Sequence, residues 1–225
     1  MHTERASVLE EGFPVAARMS VAERRGLLVD AAIKVMAREG VPNTTTRMIV
    51  AEAGMQIGVF HYCFRSKEEL VLEVMKAITD RNFGAVSEAI GEASQPAELI
   101  ALALDAYWAH IRRAPLEHLV TYELTQHALR LPGGERNAQA QYRSYTDGME
   151  ALLTAAASDG GFGWQTPVPM LARYILAVIE GMTFQWLVDR DDDAAAGVLQ
   201  ELREHLHTVA DLPPDRAELP DGATG

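Results

Sequence analysis

Apolar residues recur at three- and four-residue intervals along nearly the whole chain, a pattern that predicts successive amphipathic helices. The first helix follows a Ser-Val-Ala-Glu capping box at Ser20, carries Leu28, Ala32 and Val35 on one side, and ends at Gly40. The strict alternation typical of strands and internal repeats are both missing from the sequence. The pattern therefore predicts an all-α chain.

Two short helices interrupt the series of longer ones. Three threonines, 44–46, cap a short helix that runs to about Ala53. Gly54 makes a turn, and a second short helix spans about 56–62 before a capping box at Ser66 begins a long helix. Two short helices joined by a tight Ala-Gly turn predict a helix-turn-helix, whose second helix enters the DNA major groove.

The rest of the chain predicts a larger helical bundle. One helix, near 99–111, is apolar almost all round, and so is another near 169–188, which places both in or beside a core. We expect a mobile N-terminal arm, a helix-turn-helix domain, an effector-binding and dimerisation domain, and a disordered tail, over residues 1–19, 20–68, 69–211 and 212–225.

Charge is distributed unevenly along the chain. The net charge is −12, yet the segment from Ala17 to Lys67 holds eight lysines and arginines against four acidic residues, a net +4. The residues after Lys67 carry −14. A basic head on an acidic body is typical of a DNA-reading domain joined to a domain that DNA repels, and chance asymmetry is the alternative.

Composition indicates an ordinary globular protein, with 48% hydrophobic and 23% charged residues. The N-terminus lacks the apolar segment of a secretory signal, and no uninterrupted apolar run reaches the ~20 residues of a membrane span. The single cysteine, Cys63, cannot form an internal disulfide and is interpreted as an inert small residue rather than a redox switch. Together these features favour the cytoplasm.

A specific resemblance covers about fifty residues, from RRGLLVDAAIKVMAREG through AEAG to SKEEL. The alanine-rich first helix, the threonines before the motif, Gly58 and Phe64 all fall in the register of the TetR (TetR/AcrR) family of transcriptional regulators, which this stretch resembles. The resemblance implies a homodimer whose two reading helices grip a palindromic operator. It also implies a C-terminal domain in which a small ligand forces the heads apart.

The reading helix departs from the family pattern. Gln56-Ile-Gly-Val stands where the family commonly has Ser-Lys-Gly-Thr, and His61-Tyr-Cys-Phe where it commonly has Tyr-His-Tyr-Phe. Gln56 could therefore read adenine, and Ile57 and Val59 could contact thymine methyls. His61, Tyr62, Thr45 and Lys67 could bind phosphates. Tyr62 could pack in the core rather than bind a phosphate, and Arg47 could be a solvated charge rather than a phosphate contact. The expected DNA-binding residues are Thr45, Thr46, Arg47, Gln56, Ile57, Gly58, Val59, His61, Tyr62 and Lys67.

The larger domain shows no phosphate loop, metal-ligand cluster or nucleophile constellation, so neither an enzyme nor a bound cofactor is expected. Its large and adaptable side chains suggest a small-molecule pocket, with plain core packing as the alternative. The candidate ligand-binding residues are Tyr107, Trp108, Ile111, Tyr122, Glu123, Gln126, Tyr142, Tyr145, Met149, Met182 and Trp186. The last two helices are expected to form the dimer contact through Gly181, Val198, Leu202, His205, Leu206 and Val209.

The sequence thus predicts a DNA-binding, ligand-responsive regulator, most simply a repressor that a small molecule releases from a palindromic operator. Its expected partners are double-stranded operator DNA, a small-molecule effector and a second copy of the chain, with no membrane involved. A helical small-molecule sensor without specific DNA recognition is the alternative, motivated by the apolar reading helix. Salt-dependent, sequence-specific DNA binding distinguishes the two.

Overall fold

The computed structural model describes residues 19–90 and 96–211. The predicted arm, apart from Met19, and the predicted tail over 212–225 lie outside the described residues. Within those two ranges the chain is almost entirely helical, as predicted. The helices, in chain order, are α1 (Val21–Glu39), α2 (Thr46–Glu52), α3 (Ile57–Cys63), α4 (Lys67–Ile90), α5 (Pro96–Arg113), α6 (Pro115–Arg130), α7 (Glu135–Gly160), α8 (Val168–Asp189) and α9 (Asp192–Val209).

Helix α1 begins at the predicted capping box. The backbone N–H of Glu23 donates to the Ser20 hydroxyl (3.2 Å), and the backbone N–H of Ser20 donates to the Glu23 carboxylate (2.6 Å). These hydrogen bonds to Ser20 lower the pKa of Glu23. At the other end Gly40 has a φ of +80°, a backbone angle that favours glycine. Local sequence signals therefore set both ends of this helix.

The N-terminal helices α1 to α4 enclose one hydrophobic core. Leu28, Ile49, Phe60 and Leu70 are among its buried residues, one from each of the four helices. Two residues of α6, Val120 and Leu124, complete the same core. The head is thus packed directly onto a helix of the larger domain.

A second core lies between α5, α8 and α9, with α7 packed against it. Ile111, Leu171 and Leu202 are essentially inaccessible to solvent there. A short antiparallel ribbon of β1 (Gly163–Trp164) and β2 (Ala210–Asp211) joins the segment after α7 to the end of α9. This ribbon is the exception, among the described residues, to the all-α prediction.

Helix α8 is the most apolar helix of the described chain. By length and composition it could cross a membrane, although the sequence lacks an uninterrupted apolar run of that length. Its inner face, including Leu171, Ala172 and Ile175, is buried within the second core. This packing is that of a core helix, and the apolar residues on its outer face need a separate explanation.

Candidate DNA-binding and effector sites

The helix-turn-helix consists of α2 and α3. The Thr45 hydroxyl caps α2 by accepting the backbone N–H of Met48 (3.3 Å), and Ile49 and Val50 are buried against the head core. Gly54 makes the turn with a φ of +64°. Phe60, which is buried in the head core, anchors α3 from inside. The opposite side of α3 is therefore free to meet DNA.

That outward side carries most of the DNA-binding residues predicted on and just before α3. Gln56, Ile57, Gly58 and His61 are exposed, and Tyr62 is 67% exposed, so it is not part of the core. Gln56 precedes the first turn of α3, where a reading helix approaches base edges.

Three other predicted contacts are less accessible. Val59 is half-buried and packs against the head core, which limits what it can offer to a thymine methyl. The Lys67 ammonium donates to the backbone carbonyl of Thr44, so it fastens the loop before α2. Thr46 is half-buried, whereas Thr45 and Arg47 are exposed beside the motif.

Arg25 holds the reading helix against the rest of the head. Its guanidinium donates to the backbone carbonyl of Cys63 at the end of α3 and to the carboxylates of Glu69 (2.9 Å) and Glu73 (2.7 Å) on α4. The same group lies 4.3 Å from the centre of the Phe64 ring. One side chain of α1 therefore fixes the orientation of α3 relative to α4.

Replacing Arg25 by alanine is expected to lower the free energy of unfolding by about 1–3 kcal/mol, since hydrogen bonds to charged partners are lost together. Urea denaturation measures this loss. The control is Arg38→Ala, which removes an arginine that also contacts two carboxylates, those of Glu39 and Glu52, but is mostly exposed. An equal loss in both variants would contradict a special role for Arg25.

A cavity of about 140 Å³ lies in the larger domain, lined by residues of α4 to α9 and β1. Four predicted ligand-binding residues, Tyr107, Tyr122, Tyr145 and Met149, lie on its wall. The structure adds residues that the prediction omitted: Asn82, Phe83, His118, Thr121, Trp164 and Glu180. Glu180 had a recognisable signal, because it is a carboxylate in the middle of an almost wholly apolar helix.

The structure places the aromatic and apolar candidates of the second core away from this cavity. The rings of Trp108 and Trp186 pack edge to face with centres 5.1 Å apart, and the Trp186 indole donates to Asp192 (2.8 Å). Ile111 and Met182 are buried in the same core. None of the four lines the cavity.

The remaining ligand-binding candidates also lie away from the cavity wall. Gln126 is exposed. Tyr142 is partly exposed on α7, where its hydroxyl interacts with the Glu180 carboxylate. Glu123 faces the head: its carboxylate accepts the backbone N–H of Val41 (2.7 Å), directly after α1. Their place in a ligand site therefore stays a prediction that this cavity does not support.

The tyrosine hydroxyls of the cavity already have partners in the protein. Tyr122 donates to the backbone carbonyl of Glu180 (2.9 Å), Tyr107 shares a hydrogen bond with Thr183 (3.0 Å), and Tyr145 accepts from Gln141 (2.7 Å). Burial raises the pKa of all three tyrosines, which therefore stay neutral. Their rings thus contribute mainly apolar surface to the wall.

Two ionisable groups also lie on the wall. His118 is only 6% exposed, its Nε2 has no hydrogen-bond partner, and burial lowers its pKa to about 4, with a smaller effect of His110. Glu180 is partly buried, and burial raises the pKa of its carboxyl. Within the described residues no group of three or more His, Cys, Asp or Glu side chains could hold a metal ion. The aromatic and apolar wall with a few polar groups is typical of a small-molecule site.

The outer face of α8 forms an exposed apolar stripe. It consists of residues at successive intervals of four and three: Met170, Tyr174, Ala177, Gly181, Phe184 and Val188. On α9, Val198 and His205 are exposed, and the His205 ring lies 4.9 Å from that of Tyr174. We call these eight residues the outer stripe.

Three of the predicted dimer contacts need correction. Leu202 is 1% exposed, Leu206 lies on the cavity wall, and Val209 is half-buried against the second core. The amphipathic face of α9 that the sequence displays is thus buried within its own protomer. Only Gly181, Val198 and His205 of the predicted set lie on the outside.

Comparison with known proteins agrees with this arrangement. The sequence model described as "Bacterial regulatory proteins, tetR family" matches residues 28–74, which cover the helix-turn-helix. The HTH-type nicotine-responsive transcriptional repressor of Paenarthrobacter nicotinovorans is 27% identical over 176 residues, 78% of this chain and 89% of that protein. The HTH-type transcriptional repressor KstR2 of Mycolicibacterium smegmatis is 26% identical over 157 residues, 68% of this chain and 75% of the relative.

Solved structures share the fold. The transcriptional regulator FadR from Bacillus subtilis, crystallised with stearoyl-CoA, superposes with a TM-score of 0.64 at 18% identity. The match covers 80% of this chain and 96% of that one. The similarity therefore extends beyond the head into the larger domain.

Proposed function

The chain belongs to the TetR family of bacterial regulatory proteins, and on this premise we propose that it is a cytoplasmic repressor that a small molecule releases from a palindromic operator. It is a helix-turn-helix transcriptional regulator of the ligand-responsive kind. One observation carries the proposal: two helices, α4 and α6, each contribute both to the wall of the cavity and to the core of the DNA-reading head. Ligand binding and DNA binding thus meet in shared elements.

We assign the residues of α3 and its flanks to different parts of DNA recognition. Gln56 would read an adenine edge and Ile57 would contact a thymine methyl, because both are exposed at the start of α3. Arg47 and Tyr62 would bind phosphates, which positions the head without selecting sequence. The acidic remainder of the chain keeps the larger domain away from DNA.

Replacing Gln56 by alanine is expected to weaken binding to the preferred operator by about 1–3 kcal/mol and to relax base preference at one position of each half-site. The operator is first obtained by selecting bound fragments from random DNA. Arg47→Ala is the matched comparison, and it should weaken binding to all sequences and reduce the salt slope by about one phosphate contact per half-site.

Equal losses on operator and random DNA in both variants would contradict base reading by Gln56. If the wild-type protein binds DNA only without sequence preference, the sensor without specific DNA recognition becomes the better account. Repeating the selection in the presence of cell metabolites tests the ligand response in the same experiment.

Coupling between the two sites would run through α6. His118, Thr121 and Tyr122 line the cavity, whereas Val120 and Leu124 pack into the head core. Glu123 adds a hydrogen bond to the backbone after α1, and Arg81 of α4 lies between Asp30 of α1 and Glu117 of α6. A ligand that shifts α6 would therefore favour a different orientation of the head. By linkage, operator DNA must weaken ligand binding by the same factor.

We also propose that two copies pair through the outer stripe. Exposed apolar residues of both α8 and α9 form it, and two helices from each protomer would close a four-helix contact. A two-fold dimer presents two reading helices, which is the geometry that a palindromic operator requires.

A further inference from the structure

We propose that the effector is a small lipophilic amine that binds as a cation, with its ammonium group at Glu180 and its apolar part among the aromatic rings of the cavity. This inference rests on the proposed ligand-responsive function and narrows it to a chemical class. The similar proteins do not indicate one chemical class of effector, because one of them responds to nicotine and the structure of another contains stearoyl-CoA.

The cavity has the size and wall of a site for one ring or a short branched chain. Its volume of about 140 Å³ is close to that of an engineered apolar cavity, ~150 Å³, that binds benzene. The rings of Phe83, Tyr107, Tyr122, Tyr145 and Trp164 line it. Since the three tyrosine hydroxyls are bound to protein groups, the ligand meets ring surfaces, which attract cations as well as apolar groups.

The charges on the wall favour a cation over an anion. Glu180 is the single carboxylate among the described lining residues, and that lining includes no lysine or arginine. No ion pair involves Glu180 in the described part of the chain, where its polar side-chain neighbour is the neutral Tyr142 hydroxyl. A partly buried carboxylate without a cationic partner is costly, and a ligand ammonium would offset that cost.

His118 supplies a second polar anchor at the same wall. Its unpartnered Nε2 is a buried group that a hydrogen bond from or to a ligand would satisfy. Because His118 is neutral near pH 7, it neither repels a ligand cation nor offers a positive charge to an anion. The two groups together select a molecule with one cationic nitrogen and at most one further polar atom on an apolar frame.

Three probes of similar size but different charge test which ligand charge the cavity prefers. Benzylamine is a cation near neutral pH, benzyl alcohol is neutral and benzoate is an anion. Calorimetric titration of the full-length protein without DNA is expected to show benzylamine binding at least about 10-fold more tightly than benzyl alcohol, and no binding of benzoate. Equal or tighter binding of benzyl alcohol or benzoate would overturn the proposal, and so would no binding of benzylamine up to about 10 mM.

The residue assignment is tested with Glu180→Gln. We expect this variant to bind benzyl alcohol as the wild type does, which also shows that it is folded, while its preference for benzylamine falls to about 2-fold or less. The control Glu88→Gln changes an exposed carboxylate on α4 and should leave all three affinities unchanged. A preference for benzylamine that survives in Glu180→Gln would overturn the assignment.

A separate operator-release assay distinguishes this inference from the proposed function. If benzylamine binds through Glu180 but never weakens operator binding, the ligand class is supported and ligand-controlled release is contradicted. If benzyl alcohol or benzoate releases the operator and benzylamine does not, ligand control is supported and the cationic class is overturned.

Discussion

Replacing Gly181 by glutamate is expected to make the protein monomeric and to lower its operator affinity by at least about 100-fold, equivalent to about 2.7 kcal/mol. Gly181 lies near the middle of the outer stripe on α8. A Cβ atom built there meets nothing within 4 Å, so the protomer itself can accommodate a side chain. In a dimer the same side chain would bury an unpaired carboxylate between apolar helices.

Loss of operator affinity follows from loss of the dimer. A single head contacts one half-site, and the second contact no longer benefits from being tethered to the first. Light scattering at micromolar concentration reports the oligomeric state, and a binding titration on the selected operator reports the affinity. Far-ultraviolet circular dichroism should show unchanged helix content, because glutamate favours a helix more than glycine does.

The control for Gly181→Glu is Leu129→Glu. Leu129 is an exposed apolar residue of α6 outside the outer stripe, so the same charge placed there should leave the dimer intact. A dimeric Gly181→Glu variant would place the interface elsewhere. Monomers from both variants would show that the contact extends from the outer stripe to α6.

Much of the fold is encoded in short, local signals that the sequence displays directly. The capping box at Ser20 and the turn at Gly54 depend only on residues within a few positions of one another, and both are present in the structure as predicted. Asp191, likewise, caps α9 by accepting the backbone N–H of Ala194 (2.9 Å). Helix boundaries and the helix-turn-helix were predictable for this reason.

The cavity was only partly predictable because periodicity identifies a buried face but not what covers it. Trp108 and Tyr107 are neighbours on α5, yet one packs on Trp186 and the other lines the cavity. The face of α9 that contains Leu202 is buried within its own protomer, whereas the sequence suggested a partner chain. Such choices depend on how α5, α8 and α9 pack together, which no local pattern specifies.

Polar residues on apolar faces are the signal that sequence analysis can use more fully. Glu180 on α8 and His118 on α6 break otherwise apolar surroundings, and both lie on the cavity wall. An unpaired buried polar group lowers stability, so its presence at a cavity is consistent with a functional constraint. The cost of keeping His118 there can be measured.

Acidification from pH 7 to pH 4 is expected to remove about 3 kcal/mol from the free energy of unfolding through His118 alone. Burial lowers the pKa of this histidine from its ordinary value of 6.5 to about 4 in the folded chain. Between those two values the unfolded chain binds a proton that the folded chain does not, so stability falls as the pH decreases. Above pH 6.5 both states are neutral and the effect disappears.

His118→Phe should abolish this part of the pH dependence. Phenylalanine can keep the edge-to-face contact with the His110 ring, whose centre lies 5.5 Å away, and it removes the unpartnered Nε2. We therefore expect the variant to be at least as stable as the wild type at pH 7, and its advantage to grow by about 3 kcal/mol at pH 4. Urea denaturation at both pH values measures the difference, with His127→Phe, an exposed change on the same helix, as the control. An advantage that does not change with pH would mean that His118 has the same pKa in the folded and unfolded chains, and the lowered pKa assigned to this buried histidine would be wrong.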